Sequence, residues 1–468
     1  MLRRNPYRRL LCHRSGAYLA AALLLAGCGG GTAPSAIAPV SAFPSASTQQ
    51  WVQQFGPTPN TTFAPNSNHP LENLIAGLAV DQSGAVIGVG FTLGNFPGVN
   101  TFQGPLSQNL VFKFSATGSL EWVREFGTGS GDSLEAVAVD TAGNSFVSGG
   151  TLGAFPGFSN PGGLSQAIVA KFDPNGKMLW LQQIPLAGVS DLSSIAVDGN
   201  GDVLAGGTTR RASDPPGESA SVVKLSGATG DQIWYQQYGT SGSSDVLEAV
   251  AVDSARNAFV SVNTSGPFPG TSNQNLSDMY VLKLNGASGN QIWMQQFTGK
   301  SGELLPYLPS LAVDSSGDVV AGGISSPSGI GFIGMPGEQN LLFKLNGVTG
   351  STVWSKTFGT GKGDAIFGVS VDPSGNILAT GATSGSYETQ YSYPNNIVFL
   401  LKFDANGNNI WAQELAGGQI FNTGVPSGPT VATDASGNAY ISSLTQGAFP
   451  GFTNPTKTTQ MVLAKFGP

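Results

Sequence analysis

Apolar and polar positions along this chain fall into short blocks that recur. Residues 132–177 show one copy: an apolar run ending in Asp, a Gly-Asn turn, a second apolar run, a Pro/Gly-rich loop, and a third run holding one Lys. A Trp-bearing segment follows. The Asp falls at Asp81, Asp140, Asp198, Asp253, Asp314, Asp372 and Asp434. The Lys falls at Lys113, Lys171, Lys224, Lys283, Lys344, Lys402 and Lys465. The Trp falls at Trp51, Trp122, Trp180, Trp234, Trp293, Trp354 and Trp411, which are all 7 Trp of the chain. So even a spacing of a rare residue marks a true internal repeat.

Each repeat predicts four strands. In the second copy these are residues 136–140 (strand A, AVAVD), 145–149 (strand B, SFVSG), 168–172 (strand C, IVAKF) and 178–183 (strand D, MLWLQQ). They are short, rich in Val, Ile and aromatics, and bounded by Gly, Asn and Pro. Strand A is small and apolar on both faces, which predicts burial on both sides near a crowded centre. Strand D mixes Trp with Gln and suits an outer rim. Seven four-stranded antiparallel sheets arranged radially make an all-β, seven-bladed β-propeller. The last repeat ends at strand C, and a spare strand D stands at the front, at residues 51–55. The front strand is therefore expected to complete the last blade and cover its edge. Asp and Gly in 140–144 (DTAGN) fit a tight turn, with Asp bonding the backbone and Gly supplying a positive φ. Arg256 stands where the other turns have Gly, which predicts strain or a different turn there.

The start of the chain reads differently. Arg3, Arg4, Arg8, Arg9 and Arg14 precede a short apolar run, 18–26, too short to span a bilayer. The run ends in Leu25-Ala26-Gly27-Cys28, which resembles the bacterial lipoprotein signal. The domain reading is thus 1–27 signal peptide, 28–49 a disordered Gly/Pro/Ala/Ser tether, and 50–468 propeller. The resemblance implies a lipid on Cys28, a membrane as partner and an extracytoplasmic place. Gly29 after Cys28 resembles export to the outer membrane.

Losing the signal takes away five Arg and no acid, which moves the net charge from −7 to −12. Such a chain is repelled by phosphate backbones, so no nucleic-acid partner is expected. One Cys and one His, His69, remain. That excludes disulfides, His/Cys zinc sites, a thiol nucleophile and any His-based triad not built on His69.

The run AVAVDTAGNSFVSGGT, the Phe155-Pro156-Gly157 of the next loop and IVAKFDPNG are together similar to the bacterial β-propeller repeat family often called SBBP. The similarity covers the mature chain apart from its tether. It implies an extracytoplasmic propeller and assigns no activity. Residues 225–234 (LSGATGDQIW) also resemble the tryptophan-docking segment of quinoprotein-type propellers, where Gly and Trp lock adjacent blades. No residues outside the repeat scheme stand out as the calcium and quinone ligands of such an enzyme, so no cofactor is expected.

One Asp per turn falls short of the 6–8 oxygens a hard cation takes, so the repeated Asp reads as a turn cap and no metal is expected. The repeated Lys reads as structural, paired or reaching to a rim. The long B–C loops are the binding candidates. Their Phe96, Phe155, Phe158, Phe268, Phe449 and Phe452 either stack on a sugar or peptide or tuck under the blades as anchors. The functional expectation is a lipid-anchored envelope module that binds a protein, peptide or glycan without catalysis. The alternative is an extracytoplasmic propeller enzyme such as a quinoprotein-like oxidoreductase, lyase or hydrolase. That alternative would need acids such as Glu303, Glu338 and Glu388 to converge.

Overall fold

The computed structural model describes residues 48–56 and 73–468, apart from 95, 97–98, 100–105, 187, 211–216, 240–241, 267–270, 272–277, 299–304, 327–337, 388–396, 416–428, 446 and 455–458. The signal, the tether up to residue 47 with Cys28, and His69, Phe268, Glu303 and Glu388 lie outside the described residues, and Gln49, read as the end of the tether, instead opens the front strand.

Among the described residues, 28 strands form seven four-stranded antiparallel sheets. Blade 1 spans 73–126, blade 2 132–184, blade 3 189–238, blade 4 245–298, blade 5 305–358 and blade 6 364–415. In each, the chain meanders A-B-C-D from one sheet edge to the other. Blade 7 takes strands A to C from Val431–Thr433, Ala439–Thr445 and Gln460–Phe466, and its strand D is Gln49–Phe55 from the front of the chain. The two chain ends pair antiparallel from Gln49 opposite Phe466 to Phe55 opposite Met461. The front strand thus closes the ring, as expected from the repeat pattern.

Strand A of each blade touches strand A of the next, all the way round, so A is the innermost strand. Its register slips in the first six blades, at Ala76, Glu135, 192–193, Glu248, 308–309 and Phe367. Bulges sharpen strand twist and bend, which suits strands crowded around an axis. Many strand-A residues, such as Ala136, Ala138 and Val139, are half-buried rather than fully buried. The sequence pattern misses this because the inner edge of strand A has no strand beyond it. Two of those inner-edge amides are met from the preceding blade: Val250 N donates to Ser194 Oγ at 2.9 Å, and Val369 N to Ser310 Oγ at 2.9 Å.

The core is distributed. Each blade junction holds its own apolar cluster, shared by the facing sides of two sheets. Between blades 3 and 4, for example, Val222 and Trp234 meet Leu247, Val260 and Leu282. Burying one such aliphatic side chain contributes roughly 1.5–3 kcal/mol, so stability accrues junction by junction.

The A–B turns share one build. In blade 2 Asp140 N donates to Asn144 O at 2.9 Å, and Gly143 N to Asp140 O at 3.0 Å with Gly143 at φ 80°. Arg256 in blade 4 keeps the same bonds and adopts φ 69°. The turn type is therefore retained and the strain accepted, because the two flanking strands fix the hairpin on both sides.

Candidate functional site

The ring has two unlike ends. One carries the A–B and C–D turns and the other the B–C and D–A loops.

At the turn end, every repeated Lys meets the repeated Asp of its own blade. The distances are 2.9 Å for Lys113–Asp81, 3.9 Å for Lys171–Asp140, 2.6 Å for Lys224–Asp198 and 2.9 Å for Lys283–Asp253. They are 2.6 Å for Lys344–Asp314, 3.0 Å for Lys402–Asp372 and 3.7 Å for Lys465–Asp434. The other carboxylate oxygen caps the turn: Ala142 N and Asn144 N donate to Asp140 Oδ1 at 2.9 and 2.8 Å. Burial pushes the Asp81 carboxyl up, but Ser83, Lys113 and the Ala85 amide outweigh it and hold it below the usual range. Asp253, Asp314 and Asp372 are lowered likewise by turn donors and their Lys, and Asp434 by Asn438, Tyr440 and the Ser436 amide.

In blades 2, 3, 4 and 7 the same Lys reaches across to the next blade, alongside the Trp. Gly286 O accepts from Lys224 Nζ at 2.9 Å and from Trp234 Nε1 at 3.1 Å. Gly227 O and Gly347 O receive the Lys/Trp pairs of blades 2 and 4. Ala116 O receives Trp51 and Lys465 across the closing junction, at 3.1 and 3.3 Å. Every indole except that of Trp411 also lies over a positive-φ glycine of the neighbouring turn: a Cβ on Gly289 would meet Trp234 at 2.9 Å, and one on Gly230 would meet Trp180 at 3.0 Å. Trp and Gly do lock adjacent blades, as the docking segment implied. The Asp and Lys of the repeat therefore build the ring. Among the described residues no group of three or more His, Cys, Asp or Glu is placed to hold a metal ion.

The loop end is built by two other devices. Three residues past the Trp, strand D carries Gln54, Glu125, Gln183 or Glu414, and each accepts the amide of a B–C loop residue. Phe96 N donates to Glu125 Oε1 at 2.7 Å, Phe155 N to Gln183 Oε1 at 3.0 Å and Phe449 N to Gln54 Oε1 at 2.8 Å. Tyr387 N donates to Glu414 Oε1. The second device joins the start of strand A to the end of strand B. Thr151 Oγ1 donates to Asp132 Oδ1 at 2.6 Å, and Thr383 Oγ1 to Asp364 Oδ1 at 2.6 Å. Both carboxylates also take the amide of the D–A loop, Thr128 N at 2.8 Å and Thr360 N at 2.7 Å. Asp245 is held likewise by Ser243 and Thr264.

Burial raises Asp132 and Asp364 above the usual range even though Thr donors oppose it. Tyr387, whose hydroxyl donates to Asp364 Oδ1 at 3.2 Å, is raised by burial and then by that carboxylate. Asp132, Asp245 and Asp364 stand on blades 2, 4 and 6, so each serves its own loops.

The five Phe candidates that are described are buried or half-buried. Phe96, Phe155 and Phe449 are buried and belong to the junction cores. Phe158 and Phe452 are half-buried against the same clusters. In Phe155-Pro156-Gly157-Phe158 the turn closes by Phe158 N to Phe155 O at 2.9 Å, with Gly157 at φ 88°. Each of these five rings packs against the apolar cluster of a blade junction. Glu338 is fully buried. The D–A devices were missed in the sequence, although FGTGSGD at 126–132 and FGTGKGD at 358–364 repeat almost letter for letter.

No family model matches the chain, and no curated protein matches it. Solved structures of propellers do. The uncomplexed acylaminoacyl peptidase of Pyrococcus horikoshii is similar at 10% identity and TM-score 0.45, with 84% of this chain and 52% of that chain covered. The Dos1 propeller is similar at 11% identity and TM-score 0.41, with 85% and 95% covered. Quinohemoprotein alcohol dehydrogenase from Comamonas testosteroni is similar at 11% identity and TM-score 0.42, with 84% and 75% covered. At this level the likeness is one of fold.

Proposed function

We propose that the chain is a lipid-anchored propeller of the bacterial cell envelope, probing its surroundings as a binding or scaffold module for a protein, peptide or glycan. The observation that carries this reading is the contrast between the two ends. Turn-end side chains repeat blade after blade and are committed to joining blades. Outside the Phe-Pro-Gly shared by blades 1, 2, 4 and 7 and the motif shared by 126–132 and 358–364, loop-end segments differ from blade to blade in sequence and length, yet are clasped to the ring by Glu125, Gln183, Asp132 and Asp364. Variable loops on a rigid frame are the usual place for recognition. The SBBP-like repeats and the lipobox ending in Cys28 support the place, an outer-membrane lipoprotein.

Geometry adds an orientation. Thr48 O accepts Gly467 N at 3.1 Å, so the front strand enters at the turn end. A lipid on Cys28 would draw that end toward the membrane and leave the B–C loops facing away. Two experiments test the reading. Cys28→Ser is expected to move the protein from the membrane fraction to the soluble fraction; retention on membranes contradicts the anchor. The soluble chain is expected to bind a discrete set on glycan and peptide arrays, with binding lost when the 152–165 loop or another B–C loop is exchanged. Turnover of an arrayed compound would favour the enzyme alternative.

A further inference from the structure

We propose that the junction between blades 1 and 2 binds a buried water that joins Asn109 to Asp132, in the role the Tyr387 hydroxyl has between blades 5 and 6. The two junctions are built alike. Residues 126–132 (FGTGSGD) and 358–364 (FGTGKGD) lead into blades 2 and 6 with the same letters but one. Asp132 is held by Thr128 and Thr151, and Asp364 by Thr360 and Thr383, atom for atom.

The strand C that faces each carboxylate matches too. Four residues before the repeated Lys, blade 1 carries Asn109 and blade 5 carries Asn340. The other blades carry Ala167, Ala220, Met279, Val398 and Met461 at that place. Asn thus stands just ahead of the two blades that open with this motif. Side chains alternate along a strand, so Asn109 shares the face of Val111, in the core of junction 1–2, and Asn340 that of Leu342, in the core of junction 5–6. Asp132 N donates to Ser107 O at 3.1 Å, which sets the start of strand A in blade 2 beside the start of strand C in blade 1.

At junction 5–6 one hydroxyl spans the two side chains. Asn340 Nδ2 donates to the Tyr387 hydroxyl, which donates to Asp364 Oδ1 at 3.2 Å. At junction 1–2 the matching residue is Phe155. It too lies four residues past the Thr, and its amide too is accepted by strand D: Phe155 N by Gln183, Tyr387 N by Glu414. Phe155 packs with Phe126, Ile168 and Phe172, as Tyr387 does with Phe358, Phe399 and Phe403. Phe155 therefore supplies the ring without the hydroxyl.

Asn109 shows the consequence. It is 0% exposed, and neither its Nδ2 nor its Oδ1 has a hydrogen-bond partner among the described residues. The Oδ1 of Asn340 is likewise unpartnered, so the two Asn differ at Nδ2. A buried N–H left unpaired is costly, and buried polar groups are ordinarily met by protein or by ordered water. Asp132 is also 0% exposed, which limits the occupant to a molecule of the size of water. A water accepts from Asn109 Nδ2 and donates to the Asp132 carboxylate, whose oxygens have lone pairs beyond those the Thr donors use. Two such partners suffice to hold it. It ties strand C of blade 1 to the clasp of the D–A loop before blade 2.

The test needs neither a binding partner nor a membrane, so it holds or fails independently of the binding reading. A crystal structure fine enough to resolve interior waters is expected to show one within hydrogen-bond distance of both Asn109 Nδ2 and Asp132. The Tyr387 hydroxyl is expected to fill the matching place between Asn340 and Asp364. Phe155→Tyr should displace the water, set its own hydroxyl on Asn109 Nδ2 and raise the thermal midpoint, because an ordered water is released while its hydrogen bonds are kept. Tyr387→Phe should recruit a water to Asn340. No water at Asn109 in the unaltered chain, or an Asn109 amide bonded to a protein group instead, would overturn the proposal whether or not either variant folds. So would an F155Y structure that keeps the water and turns the new hydroxyl away.

Discussion

At the residue scale, the account turns on carboxylates used in two opposite ways. Asp81, Asp253, Asp314 and Asp372 are held below the ordinary range by turn donors and Lys partners, and Asp434 by turn donors and the Tyr440 hydroxyl. Their contribution is fully present above the unfolded value near 3.9 and is lost as pH falls through the lower folded values. Glu125, Asp132 and Asp364 are raised by burial, so the folded chain keeps their protons longer than the unfolded chain. Stability from these groups falls as pH climbs from the ordinary carboxylate value toward their folded values. The thermal midpoint is therefore expected to peak in mildly acid solution, between about pH 4 and 6, and to fall on both sides. A midpoint that rises steadily from pH 5 to pH 8 would contradict this. The buried Lys–Asp pairs were half legible in the sequence. Repetition placed both residues, but only the register of strand C against the A–B turn brings them together. The Phe rings were legible as loop residues with two placements open, because Phe-Pro-Gly reads the same whether its ring faces a ligand or a neighbouring strand.

At the scale of elements, the unit that matters is the junction between blades rather than the blade. A single four-stranded sheet has two apolar faces, and each needs the next sheet to cover it. Trp234 shows how this is done. It is 8% exposed, packs with Leu247 and Leu282 of blade 4, and donates to Gly286 O of that blade's turn. Trp234→Ala removes ring and hydrogen bond together, and is expected to cost about 3–5 kcal/mol in urea unfolding. Trp234→Phe, which keeps most of the apolar area, should cost clearly less. Equal losses for the two would show that ring packing is not what holds the junction. The strands themselves were the most legible part of the chain, since Ala/Val runs and Gly-Asn turns recur at matching offsets. The strand-A bulges were not legible, because an extra residue in a paired strand leaves the apolar pattern almost unchanged. Nor was the Gln54, Glu125, Gln183 position, whose role appears only when the loop amide it accepts is placed beside it.

At the scale of the whole molecule, seven junctions form a circle, and one of them differs in kind. Six blades are continuous in the chain, while blade 7 is assembled from both ends. Trp51 docks on Ala116 O of blade 1, Lys465 reaches the same oxygen, and Tyr440 donates to Gly84 O at 2.9 Å. The front strand therefore both covers the edge of blade 7 and supplies the indole that joins it to blade 1. The number of blades and this closure were readable from the sequence, because the Trp count and the missing last strand D point to the same answer. The most direct test removes residues 49–55 and follows thermal unfolding of the ring. Loss of the strand is expected to lower the midpoint of the whole transition and expose the blade 7–blade 1 core to solvent. A melting curve unchanged by the deletion would contradict closure of the ring by its N-terminal strand.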